Sequence, residues 1–314
     1  MLIAAAQTPS ATVDGLRRGG KAAMAAALGS LEQRPDDLRN VALLDAAYNN
    51  PRGHVIGFTG PPGVGKSTLI GALVAELRRT GRSVGVIAVD PSSRRSGGAL
   101  LGDRTRIATD PEDEGVFVRS MAARDRLGGL AELTVAATVL MRAVFDVVLL
   151  ETVGVGQSET DVAEAADTVV FCVQPGSGDS LQFMKAGIVE IPDLVVVTKA
   201  DMGAAAERAR SDVKGALSLA TESGCGWQIP VLLVAASRGQ GLTELMDAIR
   251  RHRDWLVDGN RLEARRQSQA EFWLADAVKE RFGREGLKRA GDLRLTSGEA
   301  PFAKLAEVVQ RLSA

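Results

Sequence analysis

The residues with the plainest chemical meaning are Gly60-Pro61-Pro62-Gly63-Val64-Gly65-Lys66-Ser67, which fit G-x-x-x-x-G-K-[ST] at every fixed position and run on into Thr68. Glycines at 60, 63 and 65 let the backbone curl until successive N–H groups point inward at the start of a helix, where negative charge is favoured. Such a loop cradles phosphates. Lys66 is placed to reach the β- and γ-phosphates, and the Ser67 hydroxyl to be one ligand of Mg2+. On this motif alone, a kinase acting on a small molecule stays open.

Carboxylates complete the pattern. Asp90 follows an apolar run and opens a stretch of small and charged residues, Pro91 to Arg106, that also contains Asp103. Carboxylates there could bind Mg2+ or hold its waters, and a loop of this kind near a phosphate is a candidate switch; a capping aspartate in a solvated loop is the competing reading. Val147 to Leu150 ends in Glu151-Thr152-Val153-Gly154. A carboxylate at the carboxyl end of a hydrophobic strand is the Walker B arrangement, and Gly154 is placed to bring its N–H against the γ-phosphate. Loss of that phosphate would release residues 152 to 160, including Gln157 and Glu159. Glu151 has a longer stem than the usual aspartate, which favours action through a metal-bound water.

Thr198-Lys199-Ala200-Asp201 stands at the topological position of the guanine-reading N-K-x-D. A carboxylate at Asp201 accepts from guanine N1–H and N2–H, a pair that adenine lacks. Lys199 lays its methylene stem over the ring, while threonine at the first position gives up the usual amide and keeps a hydroxyl. Ala235-Ala236-Ser237 follows the next strand, with the Ala236 amide placed to meet the base O6. GTP is therefore the expected nucleotide.

These residues need a frame. Val55–Thr59, Val84–Val89, Val116–Val118, Val147–Leu150, Val169–Val173, Leu194–Val197 and Val231–Val234 read as strands, mostly apolar without alternation, as strands covered on both faces require. Helical patterns at Leu69–Arg79, Leu130–Arg142, Ala205–Leu219 and Leu242–His252 lie between them. The expectation is a three-layer α/β domain with a mostly parallel sheet over residues 53–253. Residues 1–52 read as an N-terminal helical extension, broken near Gly19-Gly20 and Pro35, and 254–314 as a C-terminal helical arm with turns at Gly283, Gly286 and Gly291. Trp273 in that arm fits either packing on its own domain or a contact with a second subunit.

Composition narrows the function. Lys and Arg number 38 against 39 Asp and Glu in 314 residues, so no bulk positive field draws in nucleic acid or an anionic membrane. Cys172 and Cys225 form no disulfide or metal pattern, and His54 and His252 read as structural, at the start of a strand and the end of a helix. No membrane span or signal segment is legible, and a cytoplasmic protein is expected.

Taken in order, GFTGPPGVGKSTL, VDPSSRRSGGALLGDRTR, ETVGVGQSE, QPGSGDSLQFMKAGI and TKAD resemble the methylmalonyl-CoA mutase-associated GTPases, the ArgK/MeaB family once labelled lysine/arginine/ornithine transport ATPases or kinases. The resemblance spans essentially the whole chain. It implies a Mg2+-dependent GTPase of the signal-recognition, MinD and BioD class that gates adenosylcobalamin delivery to an acyl-CoA mutase and protects that enzyme, homodimeric through its C-terminal arm. It also implies that Asp90, Asp103 and Glu151 surround Mg2+, that Asp201 reads guanine, and that Gln174 to Lys185 is a further switch in which Asp179 and Lys185 signal to the partner. Thr198 and Ala235 depart from the family's usual Asn and Ser. The alternatives are a small-molecule kinase and a metal-insertion GTPase, the latter without the His- or Cys-rich tract such proteins carry.

Overall fold

The computed structural model describes residues 12–90, 107, 109–122, 132–152, 161–176, 191–220, 226–296 and 298–313. Strands β1 (His54–Thr59), β2 (Val84–Asp90), β3 (Val116–Ala122), β4 (Val147–Glu151), β5 (Thr168–Val173), β6 (Leu194–Val197) and β7 (Val231–Leu233) form one sheet in the order β3-β2-β4-β1-β5-β6-β7. Every neighbouring pair is parallel. Strands β1, β4, β5 and β6 are buried along their whole length, and alternate side chains serve opposite faces. Val148 and Leu150 enter one core, Val147 and Leu149 the other. The fold is a three-layer α/β P-loop architecture.

Helices α3 (Lys66–Arg79) and α6 (Leu242–Asp258) cover one face of the sheet. The opposite face carries α4 (Glu132–Val144), while α5 (Ala204–Ala220) caps β5 to β7 on a smaller core. Against α4 lie α1 (Val13–Gln33), α2 (Leu38–Asn49), α7 (Arg261–Ala290) and α8 (Pro301–Ser313), all in one continuous core. Leu28 and Leu44 from the first helices meet Trp273, Leu274 and Phe302 from the last ones there. Trp273, buried and packed against Phe302 with the ring centroids 4.8 Å apart and the planes tilted by 55°, therefore belongs to the core of its own chain.

Local chemistry sets where the first two helices begin. The Thr12 hydroxyl accepts from Gly15 N at 3.0 Å and starts α1, and Asp37 accepts from Arg39 N to start α2. The break expected at Gly19-Gly20 is present: Gly20, at φ 58° and ψ −147°, leaves the helical region and divides α1 into two helical pieces across a kink. Gly283, at φ 70°, kinks α7 in the same way, whereas Gly286 is buried within the helix and does not end it. A Cβ on Gly286 would stand 2.1 Å from Phe282 Cβ, so the glycine there answers to side-chain packing. His252 likewise does not end its helix, because α6 continues through Trp255 and Leu256 to Asp258.

A buried polar chain ties α7 to the amino ends of the strands. Asp167 accepts from Val55 N at 2.8 Å and from both Nε and Nη2 of Arg266, at 2.8 and 2.7 Å. Asp193 accepts from Val169 N at 2.8 Å and from Arg265 through two bonds of 2.9 Å. Between the two carboxylates, Thr168 Oγ1 lies 2.7 Å from His54 Nε2 and 2.8 Å from His252 Nδ1. Burial alone would raise the Asp167 carboxyl, but the Arg266 hydrogen bonds and charge outweigh it and hold it far below the usual range. His54 is also lowered, to about 4, but here burial is the cause, so it is neutral at physiological pH. No helix among the described residues is long and apolar enough to cross a membrane.

Candidate nucleotide site

The carboxyl ends of β1, β4, β5 and β6 open on one edge of the sheet, which is where ligands bind in parallel α/β folds. β1 runs straight into the loop from Gly60 to Gly65, and α3 begins at Lys66. Gly60, Gly63 and Gly65 have φ of 126°, 74° and 102°, a region that side-chain-bearing residues avoid. A Cβ on Gly60 would lie 2.2 Å from the Cys172 carbonyl of β5, so the first glycine is also required by close approach. Gly65 starts α3 without a side-chain cap, so the helix presents its first amides to the loop. Lys66 is buried, with Nζ donating to Gly60 O at 2.7 Å and Pro61 O at 3.1 Å across the loop it is meant to serve. Cys172 lies beneath, its thiol pushed up to about 12 by burial and so protonated.

From α3, the Ser67 hydroxyl donates to Glu151 Oε1 at 2.7 Å. A hydroxyl that gives its proton to a carboxylate keeps its lone pairs for a cation, so the hard oxygens of Ser67 and Glu151 fit Mg2+. Glu151 pairs in register with Phe58 of β1 and Ala88 of β2, which brings the end of β2, and Asp90, to the same edge. Thr152 donates through both N and Oγ1 to Phe58 O, at 3.2 and 3.3 Å, and anchors the chain where it leaves β4. Asp103, Gly154, Gln157, Glu159, Asp179 and Lys185 lie outside the described residues.

The residues expected to read the base follow β6, beside the phosphate loop. Thr198 Oγ1 lies 2.7 Å from Val64 O and 2.9 Å from Val173 O, so its one proton is shared between the phosphate loop and the end of β5. Lys199 takes a left-handed φ of 54° and reaches Gln174 Oε1 at 2.5 Å. Ala200 N donates to Val234 O, drawing in the loop where buried Ala235 precedes a one-turn 3-10 helix, Ala236–Arg238. Ser237 is exposed. Asp201 faces Arg238 from that turn, Oδ2 to Nη2 at 3.4 Å, a partner that sequence reasoning missed although it directly follows Ala235-Ala236-Ser237. The loop from Gly60 to Gly65, Glu151 and Asp201 thus follow the carboxyl ends of β1, β4 and β6 along one edge of the sheet.

Comparison with known proteins agrees with this geometry. The profile of the family described as Methylmalonyl Co-A mutase-associated GTPase MeaB matches residues 24–289. A putative GTPase of Pyrococcus horikoshii is 41% identical over 263 residues, 82% of each chain. The mouse protein named methylmalonic aciduria type A homolog, mitochondrial, is 38% identical over 251 residues, 79% of this chain and 59% of that one. A solved LAO/AO transport system kinase superposes over 100% of both chains with a TM-score of 0.69 and 29% identity.

Proposed function

Since the chain belongs to the methylmalonyl-CoA mutase-associated GTPase family and is itself a GTPase, we propose that it uses a Mg2+-dependent GTP cycle to gate adenosylcobalamin delivery to methylmalonyl-CoA mutase or a related acyl-CoA mutase, and to protect that enzyme. The family's description and the mouse relative's name support the mutase as partner. The observation that carries the switching role is the Ser67–Glu151 hydrogen bond at 2.7 Å, because it joins the phosphate-holding helix to the strand that leads into Gly154, Gln157 and Glu159.

In this reading the amides from Gly63 to Ser67 and the Lys66 ammonium hold the β- and γ-phosphates and offset charge as the γ-phosphoryl leaves. Ser67, Asp90, Asp103 and Glu151 would hold Mg2+, which when bound neutralises phosphate charge. Asp201 accepts from the guanine edge after Arg238 gives way, Lys199 covers the ring with its stem, and the Ala236 amide meets O6. No general base is assigned, and slow turnover suits a protein whose product is a change of conformation. The C-terminal arm, whose α7 exposes Phe272, would supply a homodimer contact.

The test is recovery of an adenosylcobalamin-dependent mutase on this protein with and without a non-hydrolysable GTP analogue. Nucleotide-dependent recovery is expected, and Lys66→Ala should abolish both that dependence and GTP hydrolysis. Equal mutase recovery in both conditions would sink the gating role while leaving the GTPase intact. GTP consumption that required an added metabolite would instead favour the kinase reading.

A further inference from the structure

Arg142 closes the last turn of α4 at 4% exposure, and its Nε meets no acceptor among the described residues. The Tyr48 ring stands 6.0 Å from its Cζ. The carboxylate it senses, Asp167, is already bound in fork geometry by Arg266, and Arg266 adds repulsion of its own. Burial lowers Arg142 to about 10, which still leaves it a cation at neutral pH. A buried cation held off its counter-ion is costly unless something else meets it.

Arg142 borders a cleft of about 470 Å3, whose walls include Arg266, Pro51, Leu262 and Leu295 as well as Tyr48 and Gln267. This cleft lies away from the phosphate loop, because α4 leads into the amino end of β4 whereas Gly60 follows the carboxyl end of β1. A planar guanidinium fork matches a carboxylate. Glu263 and Glu299 on the same walls disfavour a second negative charge on the ligand, and the apolar residues favour an organic body.

We propose that this cleft is a second ligand site, which takes a small organic monocarboxylate with its carboxylate on Arg142. The proposal is independent of the GTPase reading. Benzoate titrated calorimetrically into the full chain should bind saturably in the millimolar range, at least about tenfold tighter than the neutral isostere benzamide, as expected for a charge-assisted pair. Inorganic phosphate should bind more weakly than benzoate. Arg142→Met should lose at least about tenfold in benzoate affinity while melting no lower than the parent, since an apolar stem replaces an unpaired buried cation. Arg142→Lys, which keeps the charge without the fork, should also weaken benzoate. Absence of saturation, equal binding of benzamide, phosphate binding as tight as benzoate, or an Arg142→Met protein that titrates like the parent would each overturn the site. The wild-type contrast between benzoate and benzamide decides the matter even if a variant fails to fold.

Discussion

Thr198 places a single hydroxyl between Val64 O and Val173 O. Thr198→Val keeps the volume and removes the donor, so it should cost about 1–2 kcal/mol of stability by melting and weaken GTP binding, since the carbonyl it abandons belongs to the phosphate loop. Gly60→Ala should be more damaging to nucleotide binding, because the added methyl meets a backbone carbonyl at 2.2 Å and the residue stays at φ 126°. The exposed Asp201–Arg238 pair is worth only about 0.2–1 kcal/mol, so Arg238→Gln should raise GTP affinity by no more than about fivefold, read by equilibrium titration in low salt. The phosphate loop was legible in sequence because its chemistry is backbone chemistry, and only certain residues tolerate that backbone. The Thr198 brace and the Arg238 partner were not, since a carbonyl acceptor leaves no mark on residue identity and Arg238 resembles any surface arginine.

At the scale of elements, the Arg266–Asp167 pair holds the start of α7 to the sheet. Arg266→Leu would strand a carboxylate of no measurable exposure and should destabilise by about 3–5 kcal/mol in denaturant titration. His54 adds an acid limit. Its folded form refuses a proton until about pH 4, while the unfolded chain accepts one near 6.5, so stability should fall as pH drops between those values, by up to about 3 kcal/mol. His54→Gln should flatten that part of the curve. The strands were readable because burial on both faces leaves continuous apolar runs, whereas Glu151, just past such a run, is a polar residue carried inward as the last residue of β4 by a partner distant in sequence, Ser67. Gly286 inside α7 and His252 inside α6 misled for one reason: glycine and histidine suggest a helix end until the side chains packed against them are known.

For the molecule as a whole, the helices before and after the sheet share one core. Trp273→Ala should cost about 3–5 kcal/mol, and loss of the 254–314 segment should leave the face formed by α1, α2 and α4 exposed and the protein aggregating, as judged by light scattering. Helical periodicity identified the arm's apolar stripe, but a stripe does not say whose surface it covers. The shared core also has a consequence in time. During synthesis the stripes of α1 and α2 emerge first, and α7 follows only after roughly 210 further residues, which at ribosomal speed is about 10–40 s. Through that interval the nascent chain carries a sticky surface whose intended cover does not yet exist, so a cell that makes this protein has reason to shield its beginning until its end arrives.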